Sequence, residues 1–116
     1  MKHFRLENMV KGWFVGKFAP TALSTDACEV AVKHYKAGDH EGEHHHRVAT
    51  ELTLIISGRV RMLGQEWREG DIIVIEPNTA TDFCALTDAI NVVVKLPGAL
   101  NDKYDGSPMR TPLATN

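Results

Sequence analysis

The chain has 116 residues, which is enough for one buried core but not for two. Its 13 basic and 15 acidic residues give a net charge of −2, which provides no electrostatic footprint for nucleic-acid binding. No run approaches the roughly 18 apolar residues of a membrane span, and the N-terminus is too polar for a signal peptide. The two cysteines are therefore expected to be reduced thiols in a cytoplasmic protein.

The first half of the chain predicts two strands. Residues 12–18 are aromatic and β-rich, and Pro20 ends them; Trp13 is assigned to core packing rather than to ligand contact. Residues 29–35 alternate, with one face made of Glu29, Ala31, Lys33 and Tyr35 and the other of Val30, Val32 and His34.

Residues 38–58 carry the candidate chemistry. His44 and His46 are two residues apart, so on a strand they project from one face and His45 from the other. Glu51 has the opposite parity, so a bend or bulge within residues 47–50 is needed to bring it to the same point. Two imidazoles and one carboxylate at such a point are the ingredients of a divalent-metal site.

The strand that follows predicts an interior face and an exterior face. Glu51, Thr53, Ile55 and Ser57 share one side, and Leu52, Leu54 and Ile56 share the other. An apolar outer face needs a cover, so we expect a homodimer, with the N-terminal strand as the intramolecular alternative.

The second half predicts several more short strands. Residues 59–63 form a hairpin partner, residues 72–75 are a buried aliphatic strand between Gly70-Asp71 and Pro77, and residues 90–96 form the last strand. The polar tail, residues 98–116, is expected to be frayed or laid across a neighbouring surface. With almost no helical periodicity, short strands at even spacing indicate a β-sandwich or β-barrel.

Two stretches resemble the signatures of the cupin superfamily. Gly38, His44, His46, Glu51 and Gly58 fill the first signature completely. Gly70, Asp71 and Pro77 resemble the second, in which Thr79 replaces a glycine and Asp82 replaces a third histidine ligand. More loosely, GWFVGKF and NDKY look like features of small bacterial cupins without an assigned activity. The resemblance covers roughly residues 28–97 and implies an all-β jelly-roll barrel with a metal inside. Together with the chain length it predicts a single domain over residues 1–116, with a core at about 12–97.

The resemblance leaves two ligand sets open. Asp82 could complete a 2-His-2-carboxylate site with His44, His46 and Glu51, or those three could bind alone and leave Asp82 another purpose. The ion expected is a divalent metal: Mn, Fe, Ni or Zn.

Three functions compete on this basis. The first is a metal-dependent enzyme that oxygenates, isomerises or epimerises a small polar molecule. The second is a binding or sensor module without turnover, and the third is a metal-free barrel in which Glu51 and Asp82 are catalytic acid–base groups. In each case the partner is a small molecule, with no nucleic acid or membrane.

Overall fold

The structure, a computed structural model, describes residues 1–108 and is built from two antiparallel sheets. The strands in this part are β1 (Trp13–Val15), β2 (Glu29–Tyr35), β3 (His40–His45), β4 (Thr50–Ser57), β5 (Arg59–Met62), β6 (Gln65–Arg68), β7 (Ile72–Ile75), β8 (Thr81–Ala85), β9 (Ala89–Leu96) and β10 (Tyr104–Asp105). One sheet has the order β1-β2-β9-β4-β7 and the other β10-β3-β8-β5-β6. A short 3-10 helix spans Leu6–Asn8. The expected all-β jelly-roll is confirmed.

The strand alternation follows the sequence prediction. On β4, Glu51, Thr53 and Ile55 are buried, whereas the residues between them are only half-buried. The interruption expected between His46 and Glu51 is also present, because β3 ends at His45 and β4 begins at Thr50. The chain therefore bends at residues 47 and 48, and the parity of Glu51 is reset to face the interior.

The space between the sheets is apolar at one end and polar at the other. The buried apolar cluster comprises Ile55, Val60, Met62, Ile73, Ile75, Phe83, Ala85 and Ala89. Along the same strands the inward residues become polar: Thr53 and Glu51 on β4, Thr81 on β8 and Asn91 on β9. Buried polar groups are costly unless they are satisfied, so this end of the sandwich is the place to look for a site.

The prediction that residues 59–63 form a hairpin with the preceding strand is wrong, because β4 and β5 lie in different sheets and β5 pairs with β6 and β8. Gly58 is required where the chain crosses from one sheet to the other. Its φ is +86°, and a Cβ there would lie 2.1 Å from the carbonyl oxygen of Asp88. Only glycine combines that backbone angle with so close an approach.

The outer face of the first sheet is apolar and continuous. Val30, Val94, Leu52 and Val74 are directly opposite one another across β2, β9, β4 and β7, and Val32, Val92, Leu54 and Ile72 form the next row. Val74 is 58% exposed and Ile72 67%, so this face lacks a full cover from residues 1–108, and the prediction of a buried strand over residues 72–75 holds only for Ile73 and Ile75. The N-terminal strand pairs with β2 at the sheet edge instead. The expected homodimer stays a prediction.

Beyond β9, residues 98–106 run back across the histidine strand, and β10 pairs with β3. This part of the tail lies across a neighbouring surface, which is one of the two predictions made for residues 98–116. Residues 109–116 lie outside the described part of the chain. Cys28 and Cys84 are free thiols, as expected. No helix within residues 1–108 has the length and apolarity needed to cross a membrane.

Candidate metal and ligand site

The three consecutive histidines divide between two sides of β3, as predicted. His44 and His46 line a cavity of about 330 Å³ inside the sandwich. His45 faces the C-terminal segment, where its ring stacks on Tyr104 with centroids 5.5 Å apart and its Nδ1 lies 2.7 Å from the carbonyl oxygen of Gly106. All three rings are buried.

Backbone carbonyls fix the tautomer of both cavity histidines. Nδ1 of His46 lies 2.7 Å from the carbonyl oxygen of Asp102, and Nδ1 of His44 lies 3.0 Å from that of Gly42. Since a carbonyl can only accept, each Nδ1 carries a proton and donates it. In the neutral tautomer that these bonds select, Nε2 keeps its lone pair, which is the state a metal-binding histidine requires.

Glu51 meets His46 at the floor of the cavity. Its Oε1 lies 3.3 Å from Nε2 of His46, but the approach does not have hydrogen-bond geometry, and Nε2 is buried without a partner. The hydroxyl of Thr53 donates to Oε2 at 3.2 Å. Burial alone would raise the pKa of Glu51, but His46, Lys95 and Thr53 outweigh it, and the pKa is lowered. Glu51 is therefore a carboxylate.

The donor chemistry fits a divalent cation. Nε2 of His46 and Oε1 of Glu51 lie 3.3 Å apart, a contact that a proton or a metal ion shared by the two atoms would stabilise. Two ligands of one such ion, each about 2.1 Å from it, are typically about 3 Å apart. The ring of His44 is perpendicular to that of His46, with centroids 5.5 Å apart. Even so, residues 1–108 contain no group of three or more His, Cys, Asp or Glu side chains assembled as a complete metal site.

Asp82 borders the same cavity, but its side chain is exposed. On β8 it is Thr81 that lies directly opposite His44 and is buried, and Phe83 is the next buried residue. The alternation of β8 therefore gives the inward position to Thr81 and places Asp82 at the rim. The assignment of Asp82 as a ligand stays a prediction.

The C-terminal segment, residues 98–106, holds the loop of residues 47–49 that follows the histidines. This contact was not predicted from the sequence. The carboxylate of Asp102 accepts hydrogen bonds from the backbone N–H groups of Arg47, Val48 and Ala49 at 2.9–3.2 Å. Arg47 also lies over the ring of Tyr104, 3.8 Å from its centroid. The NDKY tetrapeptide, which contains Asp102, was the only sequence signal for this contact. It could not identify the hydrogen-bond donors of Asp102, because they are more than 50 residues away.

Two further polar residues of the cavity were missed as site residues. Tyr35 donates a hydrogen bond from its hydroxyl to Glu41 at 3.3 Å and packs against Phe83. Burial, followed by the charge of Glu41, raises the pKa of Tyr35. Asn91 is 1% exposed and its Oδ1 has no hydrogen-bond partner among the described residues. A lone asparagine within an apolar strand was the available signal.

The assignment of Trp13 to core packing is wrong. The indole is half-buried and lines the cavity, and the ammonium groups of Lys33 and Lys95 lie close to its ring. Trp13 is absent from the apolar cluster because β1 is an edge strand at the polar end.

Solved structures share this architecture. A double-stranded β-helix domain protein of Klebsiella pneumoniae is similar with a TM-score of 0.64 and 23% identity, over 72% of this chain and 74% of that one. A cupin superfamily protein of Desulfitobacterium hafniense is similar with a TM-score of 0.57 and 13% identity, over 62% and 69%. The chain has the cupin fold. The oxalate decarboxylase of Bacillus subtilis shares the fold with a TM-score of 0.59 and 20% identity, over 69% of this chain but only 24% of that one.

Comparison of sequences found no relative: no family model matches the chain, and no curated protein matches it.

Proposed function

We propose that this protein is a metal-dependent enzyme that acts on a small polar molecule in the cavity of its cupin fold. The observation that carries the proposal is the contact between Nε2 of His46, which is buried without a hydrogen-bond partner, and the carboxylate oxygen Oε1 of Glu51, 3.3 Å away. His44, His46 and Glu51 would hold the ion. That the oxalate decarboxylase of the same fold is an enzyme, as its name states, supports a catalytic role.

When bound, a divalent cation supplies a Lewis acid that polarises a carbonyl or hydroxyl oxygen. The chain's own groups would orient the ligand and move its protons. Oδ1 of Asn91 is free to accept from a hydroxyl, and the phenol of Tyr35, kept neutral by its raised pKa, could donate to a ligand oxygen in place of Glu41. The exposed carboxylate of Asp82 at the rim is placed to exchange protons with water.

The metal is tested by elemental analysis of the protein as purified, after chelation and after reconstitution with Mn, Fe, Ni or Zn. We expect close to one ion per chain in the wild type and none in the His44→Ala/His46→Ala double variant. His40→Ala is the matched control, because His40 is exposed on the same strand. Full metal content in the double variant would place the site elsewhere.

Turnover is tested on the metal-loaded protein with a panel of small hydroxy and keto compounds. Deuterium uptake from D₂O at carbon detects isomerisation or epimerisation, and an oxygen electrode detects oxygenation. A protein that binds metal and ligand but gives neither signal would be a binding module, and turnover that survives complete metal removal would point to acid–base chemistry by Glu51 and Asp82 alone.

A further inference from the structure

Four lysines line the cavity together with His44 and His46. They come from four separate stretches: Lys11 precedes β1, Lys33 is on β2, Lys95 is on β9 and Lys103 is on the C-terminal segment. The sequence therefore shows no basic run, and only the fold brings these ammonium groups to one mouth. A larger groove of about 1030 Å³ shares Lys11 and Lys33 with the cavity and reaches the N-terminal segment.

Lys33 and Lys95 approach the same indole. Their Nζ atoms lie 5.2 and 4.9 Å from the ring centroid of Trp13, within the range of a cation–π contact. The register explains this arrangement, since Trp13 lies opposite Ala31 and Ala31 lies opposite Val93. Lys33 is two residues beyond Ala31 in one direction and Lys95 is two residues beyond Val93 in the other. The two ammonium groups thus flank one aromatic ring.

No carboxylate of the cavity forms an ion pair with these lysines within residues 1–108, although Glu41 acts electrostatically on Lys33 and Glu51 on Lys95. Glu51 is in contact with His46, and Glu41 accepts the hydrogen bond of Tyr35. The ion pairs within residues 1–108 are Arg5–Glu7, His46–Glu51, Arg59–Glu66 and Arg61–Glu66, so none includes a cavity lysine. Glu29 lies opposite Lys95 in the register, yet its buried Oε2 has no partner there.

The consequence is visible at Lys33, which is half-buried. Burial lowers the pKa of Lys33; the charge of Glu41 offsets this in part, and Lys11, Lys95 and Lys103 lower the pKa further. Several ammonium groups close together in a partly desolvated cavity repel one another, and a bound anion would offset this repulsion.

We propose that the cavity mouth is a subsite for a small organic anion, whose carboxylate or phosphate group binds between Lys33 and Lys95 beside the ring of Trp13. The inference deepens the proposed function, on which it rests for the remainder of the ligand: the anionic end is held by the lysines while the polar end extends toward His44, His46 and Glu51. A volume of about 330 Å³ is at the small end of ligand cavities, which suits a metabolite rather than a polymer.

The subsite is tested by calorimetric titration of malonate, glycerol 3-phosphate and glycerol into metal-free and metal-loaded protein. We expect at least one of the two anions to bind both forms, and the neutral glycerol to bind neither. Whether malonate or glycerol 3-phosphate binds more tightly tells a carboxylate subsite from a phosphate subsite.

The variants assign the binding to the lysines. Lys33→Met and Lys95→Met should each weaken the anion at least tenfold, as expected for losing a charge-assisted contact, whereas Lys33→Arg should retain most of the affinity. Lys36→Met is the matched control, because Lys36 is exposed just after β2 and does not line the cavity. Metal content should be unchanged in all four.

Two results would overturn the inference: no anion bound by either form of the wild type, or Met variants that bind as the wild type does. The metal proposal fails separately. If the protein takes up no metal under any condition but still binds the anion through its lysines, the proposed function is refuted and the anion subsite is not.

Discussion

Asp102→Asn tests whether one buried carboxylate holds the histidine loop. The side chain is 6% exposed, and its oxygens accept from three consecutive backbone N–H groups, those of Arg47, Val48 and Ala49. Whichever way the asparagine amide is oriented, its NH₂ group faces the backbone N–H of either Arg47 or Ala49, which is left without an acceptor. The hydrogen bonds to the remaining oxygen are then no longer made to a charged group. An orphaned buried donor costs about 1–3 kcal/mol, and charge assistance adds about 1 kcal/mol per bond. Because two bonds remain, we expect the free energy of unfolding to fall by about 3–5 kcal/mol.

Urea unfolding followed by tryptophan fluorescence measures this loss, with chelator present so that metal binding does not contribute. Asp105→Asn is the matched control, because Asp105 is an exposed acid three residues further on, and its change should stay within about 0.5 kcal/mol. An Asp102→Asn protein as stable as this control would refute the reasoning.

The same variant predicts a pH dependence. Burial would raise the pKa of Asp102, but the three backbone N–H groups outweigh it and lower the pKa below the ordinary 3.8. For an acid with a lowered pKa, the stabilisation is complete above the ordinary pKa and is lost as the pH falls through the folded-state pKa. The stability gap between wild type and Asp102→Asn should be constant from about pH 7 to 5 and narrow below about pH 4. A gap that widens in acid would contradict this assignment.

Two further predictions concern the rim of the cavity and the outer face. Asp82→Ala should leave the metal content unchanged, since the side chain is exposed, while slowing turnover roughly 10²–10⁴-fold if Asp82 transfers a proton; lost metal would instead make Asp82 the fourth ligand. Leu54→Glu, in the middle of the apolar outer face, should convert a dimer into a monomer by light scattering, while Gln65→Glu on the exposed β6 should not. A wild-type monomer at micromolar concentration would exclude the dimer.

The sequence by itself determined the features that depend on neighbours along the chain. Alternation with a period of two assigned Glu51 and Thr53 to the interior and Leu52 to the exterior, because side chains of a strand point alternately to its two faces. The same rule separated His45 from His44 and His46 and required the bend before Glu51. The positive φ of Gly58 is local as well, whereas the lack of room for a Cβ there comes from Asp88 and so from the tertiary structure.

Only the tertiary structure decided what depends on which strands are neighbours. Trp13 acquires two lysines because β1, β2 and β9 are adjacent, and His46 acquires its proton acceptor from Asp102, 56 residues away. Thr81 rather than Asp82 is inward because of the register of β8 against β3, where a shift of one residue would exchange the two faces. Such pairings are selected by the packing of the whole sandwich, and periodicity within one segment carries no information about them.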